Sequence, residues 1–408
     1  PPPPGPPAAP SKGAGAVLGL QPSGPYRYLR MHKAVFAALP TALQRAGRLL
    51  DPTHEASAIG VEMGAGDVLV RATPTIAERY ARADAPFVTL PLDTPFWAYA
   101  PGRLLAEVDA AGAAAALAER GLLLRSAYLG PDALAAAMKT LAAQHPDATL
   151  VELGHSRSGR PIWALRIAAG SATTRPVLLF NGAHHGDELV SVLQTLDVAT
   201  TLLDPANVEL RALARRVEIW VIPMVNPDGI AHFIERSTYA GRKNGRDANN
   251  DGFLAADEGV DLNRNYPFRW GALGEVGSSL DPRSAYFRGE RPGSEPETQA
   301  MMRLTEATSP VASISYHTLG TVILWPYTVD GVEDSGAQLT RGVAELVARA
   351  AGRQANRRSF AVRQKIYPVD GVDQDWLRAT SGAVALLVEG PGHNPLGTKR
   401  LAAEVEGV

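Results

Sequence analysis

Four polar residues stand at the edges of apolar, strand-like runs: His185, Glu188, His317 and Glu389. His185 and Glu188 lie three apart in Asn181-Gly-Ala-His-His-Gly-Asp-Glu188. A strand that ends there and a helix that begins can aim an imidazole and a carboxylate at one point. His317 closes Ser313-Ile-Ser-Tyr-His317 and offers a second imidazole. Three protein ligands around a zinc ion leave the fourth tetrahedral position open, which marks a catalytic rather than a structural centre. Glu389 ends the run Ala383-Val-Ala-Leu-Leu-Val-Glu389 and is then free to act as general base on water at that position. His184 competes with His185, because Asp187 follows it by three residues. The residues alone leave that choice open.

More pieces follow in order: Asn226-Pro-Asp-Gly229, Arg242-Lys-Asn, Val260-Asp-Leu-Asn-Arg-Asn265 and Tyr367. Together with His185-x-x-Glu188, His317 and Glu389, this series resembles the zinc carboxypeptidase family, peptidase family M14, typified by pancreatic carboxypeptidase A. The likeness runs from about Tyr128 to the C-terminus and includes Gly154-His-Ser-Arg-Ser-Gly-Arg-Pro-Ile-Trp163. It implies one zinc on His185, Glu188 and His317, which selects His185 over His184, with Glu389 as general base. It assigns Arg242 to the charge developing on the carbonyl oxygen, and Asn263 and Arg264 to the substrate's terminal carboxylate, a task suited to a planar guanidinium. Asn226 matches a further substrate-binding position, Tyr367 the tyrosine that closes over substrate, and Gln374 the base of the side-chain pocket.

A carboxylate clamp implies an enzyme that removes C-terminal residues from peptides or proteins. Family members preferring basic residues carry an acid at the position of Gln374, and those preferring large apolar residues an aliphatic, so glutamine leaves the side-chain preference open. Asp370 and Asp373 could attract an ammonium group, although a solvated acidic loop is the plainer reading. Asp187 stands where carboxypeptidase A has an arginine. His-Gly-Asp-Glu also occurs in relatives that act on bacterial cell-wall peptides, which gives the alternative activity. A catalytically inactive module that recognises C-termini is the alternative from another class.

A second metal pattern is independent of that resemblance. Asp247-Ala-Asn-Asn-Asp-Gly-Phe-Leu-Ala-Ala-Asp-Glu258 fits a twelve-residue calcium loop. Oxygen ligands would come from Asp247, Asn249, Asp251, the Phe253 carbonyl and Glu258, with glycine at position six for the sharp turn. Because the loop lies between Arg242 and Asn263, a bound ion would order both arms.

The elements that must position these groups follow from apolar periodicity. Pro131 to Gln144, Leu189 to Leu203 and Ser335 to Gly352 read as helices. Thr149 to Leu153, Ile162 to Ile167, Val177 to Phe180, Val217 to Met224, Val311 to Tyr316, Thr321 to Trp325 and Ala383 to Val388 read as strands. The alternation predicts an α/β fold, a mixed sheet of eight-stranded type between helices, over residues 126–408. A smaller N-terminal α/β domain is expected over 25–125, either an inhibitory pro-region or a fixed accessory unit. There, Val35 to Leu39, Ala42 to Ala46 and Ala110 to Arg120 read as helices, and Asp67 to Arg71, Phe87 to Leu90, Arg103 to Asp109 and Gly121 to Leu124 as strands. Residues 1–24, rich in proline, glycine and alanine, read as an extended tether.

With 40 basic and 42 acidic residues well mixed, there is no charge asymmetry to favour nucleic acid or an anionic membrane. No apolar stretch approaches the ~20 residues of a membrane-spanning helix. The absence of cysteine excludes disulfides, thiolate metal sites and a thiol nucleophile. A tether opening on Pro1-Pro-Pro-Pro gives the expectation of a secreted or periplasmic protein whose leader has been removed. For the zinc-loaded protein, calcium-selective chelation is expected to lower the melting temperature in a calorimetric scan. An unchanged melting temperature and activity would remove the loop as a calcium site.

Overall fold

A computed structural model of the chain describes residues 27–46, 48–50, 67–72, 74–90, 128–169, 175–236, 239–247, 258–351, 359–390, 394 and 405. The expected tether, the strand–helix–strand reading of 103–124 and the calcium-loop positions Asn249, Asp251 and Phe253 lie outside these residues.

The N-terminal unit is small. Strands β1 (Arg27–His32), β2 (Arg48–Leu50), β3 (Asp67–Ala72) and β4 (Val88–Leu90) pair antiparallel in the order β2-β3-β1-β4. Helices α1 (Lys33–Ala38), α2 (Thr41–Ala46) and α3 (Pro74–Arg82) accompany them. Leu29 and Met31 alternate inward from β1 and meet Val70, Leu43 and Tyr80 in one core, as the two-residue period of a half-buried strand requires.

From residue 128 a second, larger sheet begins. Its strands are β5 (Ala148–His155), β6 (Pro161–Ile167), β7 (Val177–Gly182), β8 (Glu218–Ile222), β9 (Ala312–Thr318), β10 (Val322–Leu324), β11 (Ala361–Arg363) and β12 (Val384–Gly390). They lie in the order β11-β10-β12-β9-β7-β8-β6-β5. The central run β12-β9-β7-β8 is parallel, while β5, β6 and β10 join antiparallel to their inner neighbours. Helices α4 (Pro131–Gln144), α5 (Leu189–Leu203), α6 (Val208–Ala214), α7 (Pro227–Arg236), α8 (Pro296–Thr308), α9 (Ala337–Ala351) and α10 (Asp373–Ser381) complete the unit. Among the described residues no helix is long and apolar enough to cross a membrane.

Both faces of the sheet are buried, which is why its central strands read as nearly continuous apolar runs. In β8, Ile219 and Val221 enter the core built with α4 and α5, whereas Trp220 and Ile222 enter the core built with α8 and α10. Leu165 and Ile167 of β6 divide from Ile162 and Ala164 in the same way.

This topology fixes where the site must lie. The chain leaves β7, returns as β8 on one side of it, and later returns as β9 on the other side. The strand order therefore reverses between β7 and β9, and the crevice beyond the carboxyl ends of such strands is where open α/β sheets bind ligands. His185 follows β7, His317 lies at the end of β9, and Glu389 of β12 is the register partner of His317. Replacing Leu165, fully buried in the first core, by alanine is expected to cost about 2–5 kcal/mol. Leu339→Ala, at a position 65% exposed, is expected to change stability by no more than about 0.5 kcal/mol. The two shifts in denaturant midpoint at constant slope check this.

Candidate metal centre and substrate cleft

The turn that carries the first two ligands is packed backbone against backbone. A Cβ on Gly186 would lie 2.2 Å from the Gly229 carbonyl carbon and 2.5 Å from Gly241 O, so only glycine lets the turn sit this close to its neighbours. Ser191 Oγ accepts from Ala183 N at 3.0 Å and donates to Glu188 O at 2.6 Å, closing the start of α5 onto the strand end.

Within that frame, His185 Nδ1 lies 2.7 Å from Glu188 Oε1, and His317 Nδ1 lies 3.0 Å from Glu188 Oε2. The two Nδ1 atoms face each other at 3.2 Å. All three side chains are buried, and one ligand atom from each lies within 4.8 Å of the others. On its far side the His185 ring meets Asp261, with Nε2 3.1 Å from Oδ1. Donation from Nε2–H to that carboxylate leaves the Nδ1 lone pair free for a metal. Two imidazole nitrogens and a carboxylate converging in a buried space are the donor set of a catalytic zinc centre, so the residues fit the ion. Burial pulls the Glu188 pKa up, but His185 and His317 outweigh it and hold the carboxyl well below the usual carboxylate range.

His184 points elsewhere. Its Nε2 lies 2.8 Å from the Tyr266 hydroxyl and its ring stacks on His317. Burial lowers its pKa to about 4, so it is neutral. Geometry thus makes the choice of His185 that the residues alone left open.

Glu389 Oε2 is buried with no hydrogen-bond partner. Burial, then the Glu188 carboxylate, push the Glu389 pKa up to about 8. A cleft of about 380 Å³, open to solvent, is lined by His185, His317 and Glu389 together with Asn263, Arg264, Tyr367 and Gln374. Leu324, Val369, Val372 and Leu387 give it apolar walls. Arg264 is 2% exposed. Its Nη1 donates to Asn263 O at 2.7 Å, its Nε has no partner, and among the described residues no carboxylate lies within ion-pair distance of it. Asn263 Oδ1 accepts from Asp373 N at 2.9 Å, tying the Leu262–Arg264 turn to α10. Tyr367 stands on the rim, 51% exposed.

Arg242 grips Asp261 with two nitrogens, Nε at 3.0 Å and Nη2 at 2.7 Å from Oδ2, while Nη1 lies 3.4 Å from His185 Nδ1. Asp261 was not singled out as a site residue by sequence reasoning. It also caps the Leu262–Arg264 turn, accepting from Asn263 N at 3.0 Å. Burial works against its charge, but Arg242 and His185 outweigh that and hold it well below the usual carboxylate range. The available signal was an acid two residues before Asn263, in a position to accept from that residue's N–H.

Asn226 lies behind the cleft. Its Nδ2 donates to His184 O at 3.1 Å and Lys243 O at 3.2 Å, and its Oδ1 accepts from Gly229 N at 2.8 Å. It staples the ligand turn to α7 and to the Arg242 arm.

The expectation of a solvated acidic loop needs correction. Asp370 is fully buried, accepting from Ser278 Oγ and from Leu273 N, and Asp373 is buried with Oδ2 4.0 Å from His184 Nε2. Neither lines the cleft. Gln374 does, with Nε2 3.4 Å from Thr328 Oγ1 and Oε1 without a partner. Of the calcium-loop positions only Asp247 and Glu258 are described. The base of that loop is closed by Asn244 N to Val260 O at 3.0 Å and Val260 N to Asn244 Oδ1 at 2.9 Å.

A parallel-centred α/β sheet with a buried two-histidine, one-glutamate set and an unligated glutamate at its switch point defines the class: a metal-centred site of hydrolytic type. The profile of the family described as "Zinc carboxypeptidase" (Peptidase_M14) matches residues 134–402, and the chain belongs to that family. It is 34% identical over 184 residues to metallocarboxypeptidase A of Trichophyton tonsurans, covering 43% of this chain and 42% of that one. With zinc carboxypeptidase A 1 of Anopheles gambiae it shares 28% identity over 243 residues, 58% of this chain and 53% of the relative. The matched stretch thus spans less than two thirds of either relative. Among solved structures, carboxypeptidase A from Helicoverpa armigera aligns with a TM-score of 0.61 at 20% identity, covering 94% of this chain and 98% of that one. Thrombin activatable fibrinolysis inhibitor aligns with a TM-score of 0.65 at 16% identity, covering 94% of each. These two likenesses concern the fold.

Asp261→Asn is expected to weaken zinc binding by about 10- to 100-fold, as loss of a ligand's hydrogen-bonded carboxylate does elsewhere. Competition with a chromogenic chelator measures it. An unchanged affinity would mean that His185 is oriented without Asp261.

Proposed function

We propose that this chain is a zinc-dependent metallocarboxypeptidase that hydrolyses the C-terminal peptide bond of peptides or proteins. The observation that carries the reading is Arg264: a buried guanidinium with no carboxylate at ion-pair distance among the described residues, lining the same cleft as His185, His317 and Glu389. A permanently charged group in such surroundings is costly unless an anion meets it, and the carboxylate of a peptide C-terminus is such an anion.

His185, Glu188 and His317 would hold the zinc ion, which when bound would supply the Lewis acidity that makes water nucleophilic towards an amide at neutral pH. Arg264, with Asn263 beside it, binds the terminal carboxylate and sets the register of the last peptide bond. Arg242, oriented by Asp261, offers its remaining guanidinium hydrogens to the charge that develops on the carbonyl oxygen. Glu389 takes the proton of the attacking water and returns it to the leaving amine. Tyr367, exposed on the rim, closes over the bound residue, and Gln374 meets its side chain.

The same proposal places the activity in residues 126–408, with 25–125 as a pro- or accessory region. The start of the family match at residue 134, beyond the four-stranded unit, supports that division. Calcium in the 247–258 loop is its finer cofactor part, supported by the twelve-residue pattern.

Zinc-loaded protein is expected to shorten free-acid peptides stepwise from the C-terminus while leaving C-terminally amidated copies intact, read by mass spectrometry over a panel varying the last residue. Glu389→Gln is expected to lower turnover by roughly 10²- to 10⁴-fold with one zinc still bound. Cleavage of a cell-wall peptide alone would move the assignment to that substrate class. Binding of free C-termini without turnover would make the chain a recognition module.

A further inference from the structure

Arg242 and Arg264 share one aromatic ring. The ring centroid of Tyr286 lies 5.1 Å from Arg242 Cζ and 5.7 Å from Arg264 Cζ, both inside the ~6 Å range of a cation–π contact. Neither the apolar periodicity nor the family resemblance singled this residue out. Tyr286 is 48% exposed, so its position is not explained by burial in a core.

The segment that presents the ring is tied to the arm that carries Arg242. Arg242 Nε donates to Ala285 O at 3.3 Å, and Lys243 Nζ donates to Pro282 O at 2.8 Å and to Ser284 O at 3.0 Å. The backbone of Tyr286 itself is pinned on both sides. Its carbonyl accepts from Ser279 N at 2.9 Å and its N–H donates to Ser284 Oγ at 3.2 Å. The aromatic ring is thus held by main-chain bonds that a side-chain substitution leaves in place.

The two cations need such a device unequally. Arg242 has Asp261 as a two-nitrogen partner. Among the described residues Arg264 has one hydrogen bond, to a neighbouring carbonyl, and a bare Nε. Like charges close together in a site of low dielectric repel, and the weakly tethered guanidinium is the one that yields. The negative face of one ring attracts both groups and reduces that repulsion.

We propose that Tyr286 is a positioning residue for C-terminus recognition: it fixes the spacing of the carboxylate-binding Arg264 from the carbonyl-facing Arg242. This rests on the carboxypeptidase reading above, and it adds a residue that acts through the two arginines rather than on the reacting atoms. The span from Arg264 to Arg242 is then the span from a terminal carboxylate to the preceding peptide carbonyl, set by an aromatic ring rather than by a second carboxylate that would compete with the substrate.

The test uses the zinc-loaded full chain as wild type, Tyr286→Phe and Tyr286→Leu. For each, kcat and KM are measured on a free-acid dipeptide, and calorimetry measures binding of 3-phenylpropionate, a carboxylate with no scissile bond, against its amide. Tyr286→Leu keeps bulk but loses the π face, and is expected to raise KM and the 3-phenylpropionate Kd by roughly three- to thirtyfold at an unchanged melting temperature. Tyr286→Phe is expected to stay within about twofold of wild type. Wild-type KM and Kd in the leucine variant, or a phenylalanine variant as weak as the leucine one, would overturn the proposal and leave the carboxypeptidase reading standing. A wild type that neither cleaves the dipeptide nor binds the carboxylate more tightly than the amide would overturn both.

Discussion

The site depends on one buried carboxylate. Asp261 accepts two hydrogen bonds from Arg242, faces His185 Nε2, and accepts from Asn263 N. His185, Arg242 and Asn263 therefore share one anchor. An ionised carboxylate provides about four lone-pair directions, and this one is engaged on both oxygens. That multiplicity is why aspartate is needed: an amide would turn a donor towards Arg242 or His185. It is also why burying the charge is tolerable, since a buried ion is stable only when its hydrogen-bonding capacity is met.

The sheet supplies the coarse placement and close backbone packing the fine one. Parallel pairing of β7, β9 and β12 brings three carboxyl ends side by side, with His317 and Glu389 in register. The ligand turn after β7 then has to meet α7 and the Arg242 arm closely enough that their backbones touch, which Gly186 permits and Asn226 locks. Neither device involves a reacting group, yet each sets where a reacting group stands. A side-chain atom added at residue 186 would push the turn that carries both His185 and Glu188.

What was legible in the sequence follows from range. Long apolar runs announced the strands of the larger sheet except the three-residue β11, and the polar residues ending two such runs, His317 and Glu389, line the cleft. These are local signals. The N-terminal strands β1 and β2 escaped notice because short strands in a small sheet give little periodicity. Asp261 was hidden because an acid in an asparagine-rich turn looks like a cap, and it is one; its bonds to Arg242 and His185 cross 19 and 76 positions. Asp370 was misread for the same reason. Its partners Ser278 and Leu273 are 92 and 97 positions away, so an acid that looks solvated is in fact buried and hydrogen-bonded. The choice between His184 and His185 depended on the backbone turn, not on composition.

The charge balance of the cleft links its parts. Without an ion, Glu188 and Glu389 are two carboxylates in one buried space, and after burial itself it is Glu188 that drives the Glu389 pKa up to about 8. A divalent cation held by His185, Glu188 and His317 would oppose that field and favour the ionised form of Glu389, the form that its proposed role as general base requires. Arg264 enters the same charge balance. With Arg242 matched by Asp261, the positive charge of Arg264 is the one that the proposed function assigns to a terminal carboxylate, an anion that a peptide ending in an amide would not bring. On the proposed function, metal, base and substrate charge would thus form a single electrostatic unit, in which each member stabilises the working state of the next.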